Sequence, residues 1–232
     1  MMRIWDINPG YLSRDLLLSE HRLLHETVLL VTRSKPAHGS QESMRWSGFG
    51  WALKQRHRLL VAELNLRGYA DITPVLTRSG KGQWPALDRE EAIAQLQMLA
   101  DDYGGGVEGR IPLPRNAQQL WAQHKYSVMA RDQKLYKRIG RRVAGMRRKD
   151  DYADLAQRLT LALQRPPSQG GLRNALEHMW GHVSGSSEAH GADPLARRPA
   201  TLLKEIQHRV LESGEPYLLA STALGELPAW VD

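Results

Sequence analysis

The chain has 232 residues, 41% hydrophobic and 25% charged, which supports a sizeable core and excludes a wholly disordered polymer. Its 32 lysines and arginines outnumber 25 aspartates and glutamates, a net charge of +7, so a polyanionic partner is open to it. With no cysteine there is no disulfide, no thiolate nucleophile and no cysteine-ligated metal; with no long apolar run and no signal-peptide layout in MMRIWDINPG, the expectation is a soluble, cytoplasmic protein with no membrane contact.

Charge divides the chain into three zones. Residues 1–78 carry 11 basic and 7 acidic side chains, residues 79–110 carry 3 and 6, and residues 111–232 carry 18 and 12. Two helices are predicted in the first zone. Ser13 can cap one in which Leu16, Leu23, Leu24, Thr27, Val28 and Val31 recur at helical spacing, leaving Arg22, His25 and Glu26 on the other side. The second runs from about Trp46 to Arg67 and closes on Gly68, a residue suited to the left-handed backbone at a helix end, with Pro74 beyond it.

The middle zone reads as an acidic connector. DREEAIAQLQMLADDY predicts a short helix capped by Asp88, with acidic side chains in the turn where the helix dipole favours them. Gly104, Gly105 and Gly106 then form a flexible hinge. In the third zone, the segment NAQQLWAQHKYSVMARDQKLYKRIGRRVAGMRRK reads as helical, with Leu135, Ile139, Val143 and Met146 as its apolar stripe. Further helices are expected at DYADLAQRLTLALQ, LRNALEHMWGHV and ATLLKEIQHRVLESG, the last preceded by the polar loop GSSEAHGADPLARRP. Strand alternation and hairpin signals are nearly absent, so the fold class is mainly α. The expected organisation is a helical domain over 1–78, a connector over 79–110 and a basic helical domain over 111–232.

His21 and His25 stand four apart in HRLLH and would share a helix face, as metal-binding pairs do. The zinc-protease pattern needs glutamate after the first histidine, where Arg22 stands instead, so the pair is read as solvated or DNA-facing and no metal is expected. Arg22 and Glu26 have the spacing of a surface ion pair. The richest basic run, Arg131 to Lys149, holds nine lysines and arginines against Asp132. On a helix it would track a phosphate backbone, with Lys134, Arg138, Arg141 and Arg142 as expected contacts. Seven tryptophans accompany one phenylalanine; most are expected in the core, but Arg45, Trp46, Lys54, Arg56 and Arg58 cluster as candidate groove or base-stacking contacts.

Residues 2–76 resemble the pyrimidine-dimer DNA glycosylase (phage endonuclease V-like) family. The resemblance is carried by MRIWDINPGYL, LLLSEHRLLHE and KQRHRLLVAELNLRGY, with Arg3, Ile4, Leu12, Glu20 and Arg22 at the family's offsets from the chain start and Arg67-Gly68-Tyr69 at its helix end. Residues 115–230 resemble a second family, the YbgA-like domain of unknown function, through HKYSVMA with LYKRIGRRVA, NALEHMWGH and KEIQHRVLESGEPYLLASTALG. This second unit implies partnership, including a protein partner through the C-terminal half, more than a chemistry.

The first resemblance implies base excision and AP-lyase chemistry on damaged or modified pyrimidines in duplex DNA, without a cofactor. The N-terminal α-amine attacks the sugar C1′, forms a Schiff base and permits β-elimination, assisted by a glutamate one residue after the arginine. Met2 takes the nucleophile's position, preceded by Met1, and Arg3 and Arg22 hold phosphates or the extrahelical sugar. The assisting glutamate is replaced by Leu23, which cannot exchange a proton, so Glu26 is the expected substitute and Glu20 the second. The alternatives are a noncatalytic nucleic-acid-binding protein that lost the carboxylate, and an accessory module for a nucleotide-modifying partner.

Overall fold

The structure is a computed structural model that describes residues 3–33, 41–70, 73–77, 82–88, 90–104, 106–185 and 197–231. It is all-helical, with eleven α-helices and no strand among the described residues. The chain start runs extended to a short 3-10 turn at Pro9–Tyr11 and enters α1 (Arg14–Arg33), whose Leu16 N–H donates to Ser13 Oγ at 3.3 Å, as the capping pattern predicts. The helix predicted from about Trp46 begins later, as α3 (Gly50–Leu66), and an unpredicted short α2 (Gln41–Arg45) precedes it; between them Gly48, at φ +84°, breaks the helical path. Gly68, at φ +83°, follows α3 as expected.

The middle zone contributes α4 (Glu91–Tyr103), which starts at Glu90 rather than at an Asp88 side-chain cap and ends on left-handed Gly104. Gly105, part of the proposed hinge, lies outside the described residues. α4 packs on α7 (Ala153–Leu163) and buries Ala92, Leu96, Leu99 and Tyr103. The Tyr103 hydroxyl donates to Tyr11 O and accepts from Ser13 N–H, each at 2.7 Å, fastening the acidic helix to the chain start.

The long basic helix read from the third zone is broken into α5 (Ala117–Met129) and α6 (Gln133–Ala144). Asp132 caps α6 by accepting from Leu135 N–H at 2.9 Å, which competes with helix continuation. Then come α8 (Gln169–Val183), α9 (Pro199–Ser213), α10 (Pro216–Leu219) and α11 (Thr222–Glu226). Most of the loop expected before α9 lies outside the described residues. No helix among the described residues is long and apolar enough to cross a membrane.

A small apolar cluster of Leu59, Ala62 and Ala229 and two large ones form the interior among the described residues. One joins Ile4 and Leu12 to α1, α3, α4 and α7; the other joins the C-terminal helices, and α3 and α5 supply residues to both. Three buried glutamates pin these layers. Glu20 accepts from Arg56 Nε and Nη2 at 2.7 and 2.8 Å, Glu63 from Arg110 Nε and Nη2 at 2.9 and 2.7 Å and from Arg67, and Glu226 from Arg131 Nη1 and Nη2, both at 2.8 Å. Each pair is bidentate, the geometry in which a desolvated arginine and carboxylate satisfy one another.

Candidate active site

The chain start is held at almost every residue. Trp5 N–H donates to Glu20 Oε1 at 3.0 Å and Asp6 N–H to Gln95 at 2.9 Å, while Ile7 O accepts from Arg56 at 2.7 Å and Leu12 O from Arg67 at 2.9 Å. Arg45 donates to both Asp6 carboxylate oxygens at 2.8 and 2.7 Å and reaches Ile4 O at 3.3 Å. Arg3 is half-buried; its Nη2 donates to Glu91 at 2.6 Å and its guanidinium lies 5.4 Å from the Trp5 ring centroid. The Arg3 hydrogen bond holds the Glu91 carboxyl below the ordinary glutamate range despite partial burial. Met2 itself lies outside the described residues.

The expected site residues divide by burial. Arg22 and Glu26 are both exposed on α1, while Glu20, one residue from His21, points inward and is 1% exposed. Six residues carry Glu26 about 240° around the helix axis from Glu20, so the two occupy different faces. Glu20 is therefore a structural anchor whose oxygens serve Arg56 and Trp5, and its use as a substitute acid fails on access. Arg56 and Trp46, expected at a groove, are 1% and 0% exposed. Arg56 is spent on Glu20 and Ile7; Trp46 meets Trp84 edge-on, 6.4 Å between centroids. Arg45 is half-buried against Asp6, leaving Lys54 exposed and Arg58 partly so on α3.

The α6 cations are placed at the surface. Lys134, Lys137, Arg138, Arg141 and Arg142 are exposed, and only Ile139 and Val143 of that helix are fully buried. Arg142 shares Asp154 with Arg158 at 2.5 and 3.0 Å. Arg131 leaves the basic run altogether: its side chain is 3% exposed and bound to Glu226. Arg147 lies past the helix end and pairs with Asp150 at 3.1 Å.

His21 and His25 do share a face of α1, and a third ring from α3 joins them. The Nε2 atoms of His21 and His57 are 3.2 Å apart, and one ligand atom from each of the three histidines lies within 4.8 Å of the others.

The N-terminal third thus presents an exposed arginine on its first long helix, a second arginine at the pinned chain start and Arg67-Gly68-Tyr69 at the end of α3. Residues 2–77 match the pyrimidine dimer DNA glycosylase family. Residues 125–228 match a second family, described as a protein of unknown function (DUF1722). No curated protein and no solved structure gives a match. Two residues stand out beside the chain start and α1 that composition and spacing do not mark. Glu91 comes from the middle zone, beyond the matched segment, yet is the acid bound to Arg3. His57 lies 36 positions from His21, so no local spacing links them.

Proposed function

We propose that the protein is a DNA glycosylase and AP lyase acting on damaged or modified pyrimidines through its terminal amine. The observation that carries this reading is the glycosylase-family match over residues 2–77 joined to a chain start clamped from Arg3 to Leu12. An α-amine with a pKa near 8 is roughly one-tenth unprotonated at pH 7, far more than a lysine, and that fraction attacks C1′ of a damaged or abasic nucleotide. At an intact lesion the C1′–N bond to the base breaks as the amine's bond to C1′ forms, the base leaves with a proton, and ring opening gives an iminium; at an abasic sugar the same iminium forms from the C1′ aldehyde with loss of water, and removal of a C2′ proton then expels the 3′ phosphate. The clamped backbone from Arg3 to Leu12 gives a substrate sugar a fixed surface to be held against, and proximity of that kind lowers such a barrier.

With Leu23 unable to help, a carboxylate must come from elsewhere. Glu91 is our assignment, because Arg3 holds it ionised at the chain start, where a negative charge stabilises the developing iminium. Glu26 is the competing candidate on the exposed face of α1. Arg22 and Arg3 would engage phosphates, and the sugar carbon is reached by expelling a nucleotide from the stack. The exposed α6 cations favour a duplex partner through counterion release.

A panel of duplexes bearing an abasic site, a cyclobutane dimer or a modified cytosine tests the reading. Strand scission at the abasic site, leaving a β-elimination product, is expected. Salt-sensitive binding without scission at any lesion would favour the noncatalytic binder instead.

A further inference from the structure

We propose that His21, His25 and His57 form a binding site for one divalent transition-metal ion of the Zn²⁺ type. The three imidazoles converge from two packed helices, α1 and α3. Their ring centroids are 4.7, 5.1 and 4.9 Å apart, with His25 edge-on to the other two rings and His21 tilted on His57. Zinc binds histidine nitrogen at about 2.0–2.1 Å in a tetrahedron, so two ligand nitrogens stand roughly 3.3–3.4 Å apart. The His21–His57 separation of 3.2 Å is already close to that requirement, and all three ligand atoms lie within 4.8 Å of one another, leaving the widest pair at most about 1.5 Å to close.

The surroundings suit an exchangeable ion. His57 is 7% exposed, while His21 and His25 are half-buried, so the nitrogens are partly desolvated yet reachable. His57 and Thr73 both line an open surface pocket with Arg58 and Asn65, which supplies the entry path. Thr73 Oγ1 lies 3.4 Å from His25 Nε2, where the hydroxyl can orient the ring or a bound water. Arg22 follows His21 in sequence and stands three residues before His25, about 60° from it around the axis, but it is exposed, so solvent and salt screen its charge from the cluster. Three neutral imidazoles leave the ion its full charge and a fourth position for water, the donor set of a reactive rather than a purely structural zinc site. The site is independent of the amine chemistry above, so either can fail alone.

The test uses untagged full-length protein stripped with EDTA. Calorimetric titration with Zn²⁺ is expected to give one ion per chain, and Co²⁺ to give visible d–d bands of a four- or five-coordinate ion. His57→Ala and the His21→Ala/His25→Ala pair should each bind at least about 100-fold more weakly with helical circular dichroism unchanged. X-ray absorption of the zinc-loaded natural sequence serves if a variant misfolds, and should show imidazole scattering. Absent binding, unaltered affinity in the folded variants, or a first shell without imidazole would each overturn the proposal.

Discussion

His124 reports how burial redirects a residue that is conspicuous in sequence. It is 4% exposed and its Nδ1 faces Leu120 O at 2.9 Å; burial, only partly opposed by that bond, lowers its pKa to about 4. Above about pH 6.5 the ring is neutral folded or unfolded, and between that value and about 4 only the unfolded chain takes up the proton. Stability is thus full above the unfolded pKa and falls by about 3 kcal/mol as pH drops through this window, readable from urea midpoints. Glu63 acts the same way at lower pH: burial alone would raise its carboxyl, but Arg110 and then Arg67 more than offset this and hold it low. A midpoint that stays flat from pH 7 to 4.5 would contradict the buried neutral histidine. Arg56→Ala tests the other kind of interior charge. Leaving Glu20 buried and unpaired is expected to cost about 3–5 kcal/mol, whereas Arg141→Ala stays within about 0.5 kcal/mol, both by chemical denaturation.

At the scale of elements, the helix periodicities were legible because each long helix buries one face: α1, α7, α8 and α9 lie close to their sequence-based spans, with Ser13, Gly68 and Gly214 at helix ends. What escaped was tertiary. The apolar period continues from α5 into α6, so only the Asp132 cap and the turn around it reveal the break. Charge counts likewise could not separate Arg131 and Arg56, each claimed by a distant glutamate, from Lys134 and Arg138 on the open face of α6. Short α2, α10 and α11 carry too few turns for a periodic signal. The exposed α6 face makes its own prediction. Replacing Lys134, Arg138 and Arg141 by alanine should flatten the plot of log K against log salt by up to about 2.7 for duplex DNA, with stability nearly unchanged. An unaltered salt slope would remove α6 from the interface. Gly225 on α11 tests a packing limit: an added Cβ there would strike Glu63 Oε2 and Arg110, so Gly225→Ala should lower the melting temperature, and an unchanged one would refute this close approach.

Over the whole molecule, the three charge zones do not mark breaks in the interior. α4 shares a core with α1 and α3, and Arg110 clamps Glu63 on α3 while donating to Leu219 O and Ser221 O near the C-terminus. Thermal unfolding of the full chain should therefore be one cooperative transition; two resolved transitions would contradict this coupling. The same coupling brings Glu91, from outside the glycosylase-matched segment, to Arg3. Glu91→Gln is accordingly expected to slow Schiff-base formation at least tenfold (~1.4 kcal/mol) with duplex affinity retained, and Glu26→Gln to change it little. The reverse order would return the role to α1. The central claim, a nucleophile at the chain terminus, meets its most direct test in borohydride trapping on an abasic duplex followed by mass mapping of the adduct. The account predicts a covalent DNA adduct on the first residue of the chain. No adduct, or one confined to an internal lysine such as Lys54, would contradict it.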